Sequence, residues 1–280
     1  MNRYKLGLVA ESTGLPVRPA MAEAAKLGVQ GIQFDTTGPL APDALGDTAR
    51  RELRTLLKSF SLDLAAVNCP LRSSLDTFDR QHQRIDAVRQ AMSFASDLGC
   101  RKLIVPMPAI PPEPPPSTEP KSAFTFGTAP PPAVTLRETI TAIAAHGDRI
   151  GVTVCLDVGL DPAEKTRDYL ATFDTGSLAV CFDPANFLVN GHDPLKSLTA
   201  LAKQLGHVHA RDARRVSAGS GPQEVPLGTG DVDWMTFCVS LEVQEFGGFV
   251  CVERTTGDNR LADLATAVRL LRQFVPAPAG

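Results

Sequence analysis

No stretch of this chain approaches the roughly 18 consecutive apolar residues of a membrane span, and Met1-Asn-Arg-Tyr-Lys-Leu lacks an apolar signal core with a cleavage site. A membrane partner is thereby excluded and a cytoplasmic location expected. Six cysteines occur, none in a C-x-x-C pair, and three fall inside apolar runs of strand length, so they read as reduced thiols. Positive charge is sparse. The 28 Lys and Arg are outnumbered by 31 Asp and Glu, net charge −3, with no dense basic patch beyond Arg211, Arg214 and Arg215. Nucleic acid is therefore not an expected partner. What is present, 280 residues of which 43% are hydrophobic, suits a single domain over 1–280. It is the size of an α/β barrel, which needs about 250 residues. Composition sets no oligomeric state.

Short apolar runs alternate with stretches of helical periodicity, the rhythm of βα units on a parallel sheet. Strands are predicted at Leu6–Val9, Gly31–Phe34, Leu64–Val67, Lys102–Pro106, Val152–Leu156, Leu178–Phe182, Gly206–Ala210 and Phe249–Val252. Helices are predicted at Pro19–Leu27, Ala49–Ser59, Phe78–Leu98, Thr135–Arg149, Pro162–Thr172, Pro194–Gln204, Trp234–Phe246 and Arg260–Phe274, with Asp161-Pro162 and Asp193-Pro194 as helix openings. Eight strands predict a single (β/α)8 TIM barrel. Residues 106–132 break the rhythm with a crowd of prolines, which exclude helix and pair poorly in sheets. This proline-rich insertion after the fourth strand is either a solvent-facing loop or a semi-rigid lid whose Phe124 and Phe126 cover a substrate.

Four of the apolar runs end alike: Cys155-Leu156-Asp157, Cys181-Phe182-Asp183, His207-Val208-His209 and Cys251-Val252-Glu253. In each, a small or polar residue stands two places earlier, so both side chains of the pair point into the barrel. Three carboxylates and an imidazole at strand ends suit a divalent cation such as Mn²⁺, Mg²⁺ or Zn²⁺. His207 and the three cysteines, one strand layer deeper, read as interior fillers. Gly228-Thr-Gly230 lacks the residues of a phosphate loop; it reads as a tight turn, with Asp231 or Asp233 capping the next helix and Trp234 in the core. Glu11, past the first strand, reads as a charged loop residue.

These motifs, Cys181-Phe-Asp-Pro-Ala-Asn-Phe187, His207-Val-His-Ala-Arg-Asp212, Leu227-Gly-Thr-Gly-Asp-Val-Asp-Trp234 and Val250-Cys-Val-Glu253, resemble those of the sugar phosphate isomerase/epimerase family of xylose-isomerase-like TIM barrels. The resemblance implies one divalent metal ion, most often Mn²⁺ with Mg²⁺, Co²⁺ or Zn²⁺ as alternatives, held by Asp157, Asp183, His209 and Glu253. It assigns proton transfer at carbon to Asp157 and Glu253, and substrate contact to Asn186, Arg211 and Arg215. The family's strand-five acid is a glutamate, so Asp157 is one methylene short. Asn186 stands where many members have histidine, and Gln33 where the second strand often ends in glutamate.

The implied substrate is a small carbohydrate: a sugar, a sugar phosphate or a keto-polyol. A metal beside its carbonyl would stabilise the enediolate formed on proton abstraction, leading to isomerisation or epimerisation. Two alternatives stand beside this reading. One is a lyase dehydrating a keto-inositol or dehydroshikimate-like substrate; the other is a sugar-binding barrel without catalysis. For Arg211 and Arg215 the alternative to substrate contact is a surface ion pair with Asp212 or Glu224. DNA-repair endonucleases share the barrel, but five histidines and the acidic balance oppose their three-zinc site.

Overall fold

The computed structural model describes residues 4–113, 129–215 and 221–275. Barrel strands are β1 (Lys5–Val9), β2 (Gly31–Asp35), β3 (Asp63–Asn68), β4 (Lys102–Pro106), β5 (Thr153–Asp157), β6 (Leu178–Phe182) and β7 (Leu205–Ala210). A hairpin of β8 (Asp212–Arg214) and β9 (Gln223–Val225) precedes the last barrel strand, β10 (Phe249–Val252). The eight longer strands pair in parallel and close in the order β1-β10-β7-β6-β5-β4-β3-β2. Every expected strand forms, because each run couples β propensity to burial on both faces.

Around the barrel run α1 (Val17–Leu27), α2 (Asp47–Ser59), α3 (Gln81–Asp97), α4 (Pro132–Ile150), α5 (Ala163–Leu170), α6 (Pro184–Val189), α7 (Pro194–Leu201), α8 (Trp234–Val243) and α9 (Arg260–Leu271). Two features were not legible as elements. Helix α6 has six residues, too few to establish a helical period, and the β8–β9 hairpin has three-residue strands. Asp193 caps α7 as expected, its Oδ1 accepting the N–H groups of Leu195 and Lys196. Asp161 does not cap α5. Instead it accepts the N–H of Ile110 at 2.6 Å and pairs with Lys165 at 2.7 Å, which ties the segment following β4 to α5. The proposed lid residues Phe124 and Phe126 lie outside the described residues.

Outward-facing strand residues such as Leu8, Phe34, Leu103, Leu156 and Phe182 join the helices in one continuous core. The inward-facing set is separate and small: Ala66, Ile104, Cys155, Ala179 and Cys181 on one side, Val9, Ala65 and Cys251 on the other. Burial raises the thiol pKa values of Cys155, Cys181 and Cys251, so these sulfurs serve as packing atoms.

At the bottom of the barrel the Phe249 ring lies over Gly31, where an added Cβ would stand 2.3 Å from the ring. Glycine is required there by close approach. Gly31→Ala is expected to destabilise the protein by roughly 1–3 kcal/mol, the usual cost of overpacking. Adding Phe249→Leu should recover part of that loss, measurable as non-additive shifts of the urea midpoint in a double-mutant cycle.

Candidate functional site

Strand register and the inward-facing alternation carry Asp183, His209 and Glu253 to the carboxyl end of the barrel from β6, β7 and β10. Cys251 pairs with His209, and the N–H of Glu253 bonds the carbonyl of Ala210, which sets the two ends level. One ligand atom from each of Asp183, His209 and Glu253 lies within 4.8 Å of the others. His209 Nδ1 is 3.2 Å from Glu253 Oε2. Asp183 and His209 are buried, and Glu253 is nearly so.

Asp183 does two jobs. Its Oδ1 accepts from the N–H groups of Ala185 (2.8 Å) and Asn186 (3.3 Å) and so starts α6, while Oδ2 faces the Arg211 guanidinium at 2.7 Å. Of the four expected ligands, Asp157 is the one outside the three-residue group. Its Oδ1 accepts from Asn186 Nδ2 at 3.2 Å, and Asn186 Oδ1 in turn accepts from Arg211. Gly159, at φ +131°, lets the segment after β5 pass so close that a Cβ there would meet the Asn186 Cβ at 2.7 Å. Asn186 and Arg211 thus fill the ground between Asp157 and Asp183. Arg211 pairs with Asp183 rather than with Asp212 or Glu224.

Arg215 stands apart from this group. Its guanidinium donates to the carbonyl of His192, and its N–H to Asp231. Asp212 is a buried hub whose carboxylate accepts the N–H groups of Ala213, Gly228 and Gly230 and the indole N–H of Trp234. It holds the Leu227–Trp234 segment in place, and Asp233 caps α8. Glu224 on β9 meets Arg254 at 3.3 Å and accepts the N–H of Thr255, pinning the hairpin beside β10.

A second polar group borders the site. Glu11 accepts the N–H of Asp35 at 2.9 Å, and Asn68 Nδ2 donates to Asp35 at 2.8 Å. With Gln33 and Glu253 these residues line a cleft of about 230 Å³. Asp35 and Asn68 were missed although each ends an apolar run, the same signal that marked β5 to β10. A larger groove of about 660 Å³ lies outside the barrel between α1 and α2, lined by residues such as Leu40, Leu53 and Leu56 and by none of the strand-end groups.

Electrostatics follow from crowding acids away from water. Burial, then the charges of Asp183 and Glu253, push Asp157 up to about 8. Burial, then Asp35, pushes Glu11 up to about 7. Burial likewise raises Asp183 and Glu253. His209 falls to about 4, because burial opposes its charge more than the nearby carboxylates favour it. Burial also disfavours the charge of Arg211, but Asp183, Glu253 and Asp157 more than reverse that, so its pKa is raised.

The donor set fits a divalent ion. Gln33 Oε1 lies 3.0 Å from His209 Nε2; a proton on that nitrogen would leave the Nδ1 lone pair facing a carboxylate oxygen at 3.2 Å. Two acceptors at that distance need a cation or a proton between them, and the raised pKa of Glu253 lets its carboxyl supply the proton when no ion is bound. Ligands bound to one ion at about 2.0–2.2 Å stand roughly 3 Å apart when adjacent.

The sequence profile described as Xylose isomerase-like TIM barrel matches residues 21–274. The chain belongs to the xylose isomerase-like TIM barrel family. Among solved members of this fold, a xylose isomerase domain protein from Planctomyces limnophilus superposes with TM-score 0.82 at 20% identity, covering 97% of each chain. D-allulose 3-epimerase from Methylomonas sp. in complex with D-allulose gives 0.71 at 16%, covering 98% of each chain. A 3-keto-D-glucoside 4-epimerase from E. coli gives 0.72 at 16%, covering 97% of this chain and 100% of that one. At these identities the likeness establishes the barrel. A search of curated protein sequences returns no significant match. Among the described residues, no helix of this xylose isomerase-like barrel is long and apolar enough to cross a membrane.

Raised carboxyl pKa values make the native state hold protons that the unfolded chain has released. For Asp157 this spans about pH 4 to 8, and for Glu11 about pH 4.5 to 7. Stability contributed by these groups is complete below the unfolded values and is lost as pH rises through the folded ones. His209 acts oppositely, but only between about 4 and 6.5. Protein stripped of divalent ions is therefore expected to lose thermal stability as pH rises from about 6.5 to 8. Asp157→Asn should flatten that slope in a calorimetric pH series.

Proposed function

We propose that this protein is a divalent-metal-dependent epimerase or isomerase of a small sugar, sugar phosphate or keto-polyol. The observation that carries the reading is the convergence of Asp183, His209 and Glu253 from three adjacent strands to within 4.8 Å. Asp183, His209 and Glu253 would hold the ion, Mn²⁺ in our reading. Bound there, a divalent ion polarises a carbonyl and its neighbouring hydroxyl and eases loss of the C–H proton between them.

The remaining work belongs to the chain. Asp157 and Glu253 stand on β5 and β10, separated around the barrel by β6 and β7. A substrate carbon held between them presents one face to each acid. One carboxylate removes the proton and the other, protonated, returns one, which favours epimerisation over the same-face shuttling of an isomerase. The Asn186 amide steadies Asp157, and its hydrogen bond favours the charged form needed to accept a proton. Arg211 offsets the acids and offers N–H groups to substrate oxygens. Arg215, bonded to the loop carbonyl of His192, is assigned to holding that loop. The carbohydrate epimerases among the structural neighbours support this substrate class.

The test is solvent exchange. Ketoses, their phosphates and keto-inositols incubated in D₂O with each divalent ion should acquire deuterium beside the carbonyl, read by mass spectrometry. Asp157→Asn and Glu253→Gln should slow that incorporation by about 10²–10⁴-fold. Asp183→Ala and His209→Ala should abolish stoichiometric metal. A product lighter by one water would identify a dehydratase. Absence of both deuterium uptake and cation binding would refute the enzymatic reading.

A further inference from the structure

Gln33 is fully buried on β2, pointing into the barrel, and its side chain touches two histidines at once. Its Oε1 lies 3.0 Å from Nε2 of His209 and 3.0 Å from Nε2 of His207. The two rings meet edge to face, with centroids 5.4 Å apart and planes at 87°. We infer that Gln33 is a positioning residue: it fixes the proton of His209 on Nε2, so that Nδ1 enters the metal site as a lone pair, and His207 in turn sets the Gln33 amide. The inference rests on His209 being a ligand in the proposed site and explains how its ligating nitrogen is chosen.

A carboxamide oxygen accepts hydrogen bonds and cannot donate, so each ring bonded to it carries its proton on Nε2. A neutral imidazole has only one such proton. With the amide turned over, its NH₂ group would face both rings and both protons would move to Nδ1. His209 would then donate to Glu253, leaving no lone pair for an ion.

His207 distinguishes the two orientations. Its Nδ1 is buried with no hydrogen-bond partner among the described residues. In the first orientation that atom is an unused acceptor; in the second it is an N–H with nothing to receive it, the costlier state. A histidine one layer below the site thus selects the amide orientation, and the amide selects the histidine tautomer above it. Such outer partners commonly govern metal affinity through ligand orientation.

Long-range ¹H–¹⁵N spectra of the metal-free full-length protein, labelled in histidine and held at neutral pH, read the tautomers directly. Both His207 and His209 should be protonated at Nε2 and bare at Nδ1. Gln33→Glu, which keeps an acceptor there, should preserve this pattern. His207→Phe should give His209 as a mixture of tautomers. In calorimetric titrations Gln33→Leu should bind Mn²⁺ roughly 10–100-fold more weakly, with Gln33→Glu rescuing most of that loss.

A wild-type His209 protonated at Nδ1 would overturn the inference, as would a folded Gln33→Leu protein binding Mn²⁺ like wild type. Should Gln33→Leu fail to fold, the wild-type and Gln33→Glu spectra decide. The two readings fail separately. A protein inactive on every sugar but with His209 protonated at Nε2 and able to bind Mn²⁺ loses the proposed activity and keeps this inference. An active epimerase with an Nδ1 proton does the reverse.

Discussion

Like charges gathered in a closed space set the terms for this protein. Asp157, Asp183 and Glu253 stand at the ends of β5, β6 and β10 largely shielded from solvent, and burial makes each hold its proton more tightly than a free carboxyl would. Isolated buried carboxylates are costly, so the surroundings must supply positive charge or donors. The structure provides both: Arg211 against Asp183, and backbone N–H groups at the start of α6. Between His209 Nδ1 and Glu253 Oε2, 3.2 Å apart, no third residue among the described ones places a donor, so a proton or a divalent ion fits that place.

The same residues show how closely architecture and chemistry are joined. Asp183 is both the cap of α6 and a member of the proposed ligand set, so the helix and the site are oriented by one carboxylate. Asp212 is outside the three-residue group, yet its buried carboxylate gathers the N–H groups of Ala213 on β8 and of Gly228 and Gly230 in the turn that follows β9. Gln33, on the opposite side of the barrel, reaches His209 from behind. A site assembled from several strands gains precision in this way, because each side chain is fixed by a partner from a different element.

The shorter acid on β5 has a structural counterpart. Asp157 stays outside the Asp183–His209–Glu253 group, and the space between is bridged by Asn186 and Arg211. Whereas Glu253 is one of the three grouped residues, Asp157 is thereby held by an amide and lies apart from them. The guanidinium beside it makes the centre less negative than its carboxylates alone would.

Read alone, the amino-acid order determined the barrel and the strand-end residues. Buried parallel strands announce themselves as short apolar runs, and the two-residue alternation places Asp157, Asp183, His209 and Glu253 on the inner face whatever lies around them. Helix α6 and the β8–β9 hairpin escaped detection because they are shorter than the period that would reveal them. Only the folded chain decided which groups meet. Arg211 could equally have paired with Asp212 or Glu224, and nothing local in the sequence ties His207 to Gln33, 174 residues away, which it bonds in the fold. Periodicity encodes the direction of a side chain relative to its own strand; partners across the barrel depend on register and closure, which no local pattern contains.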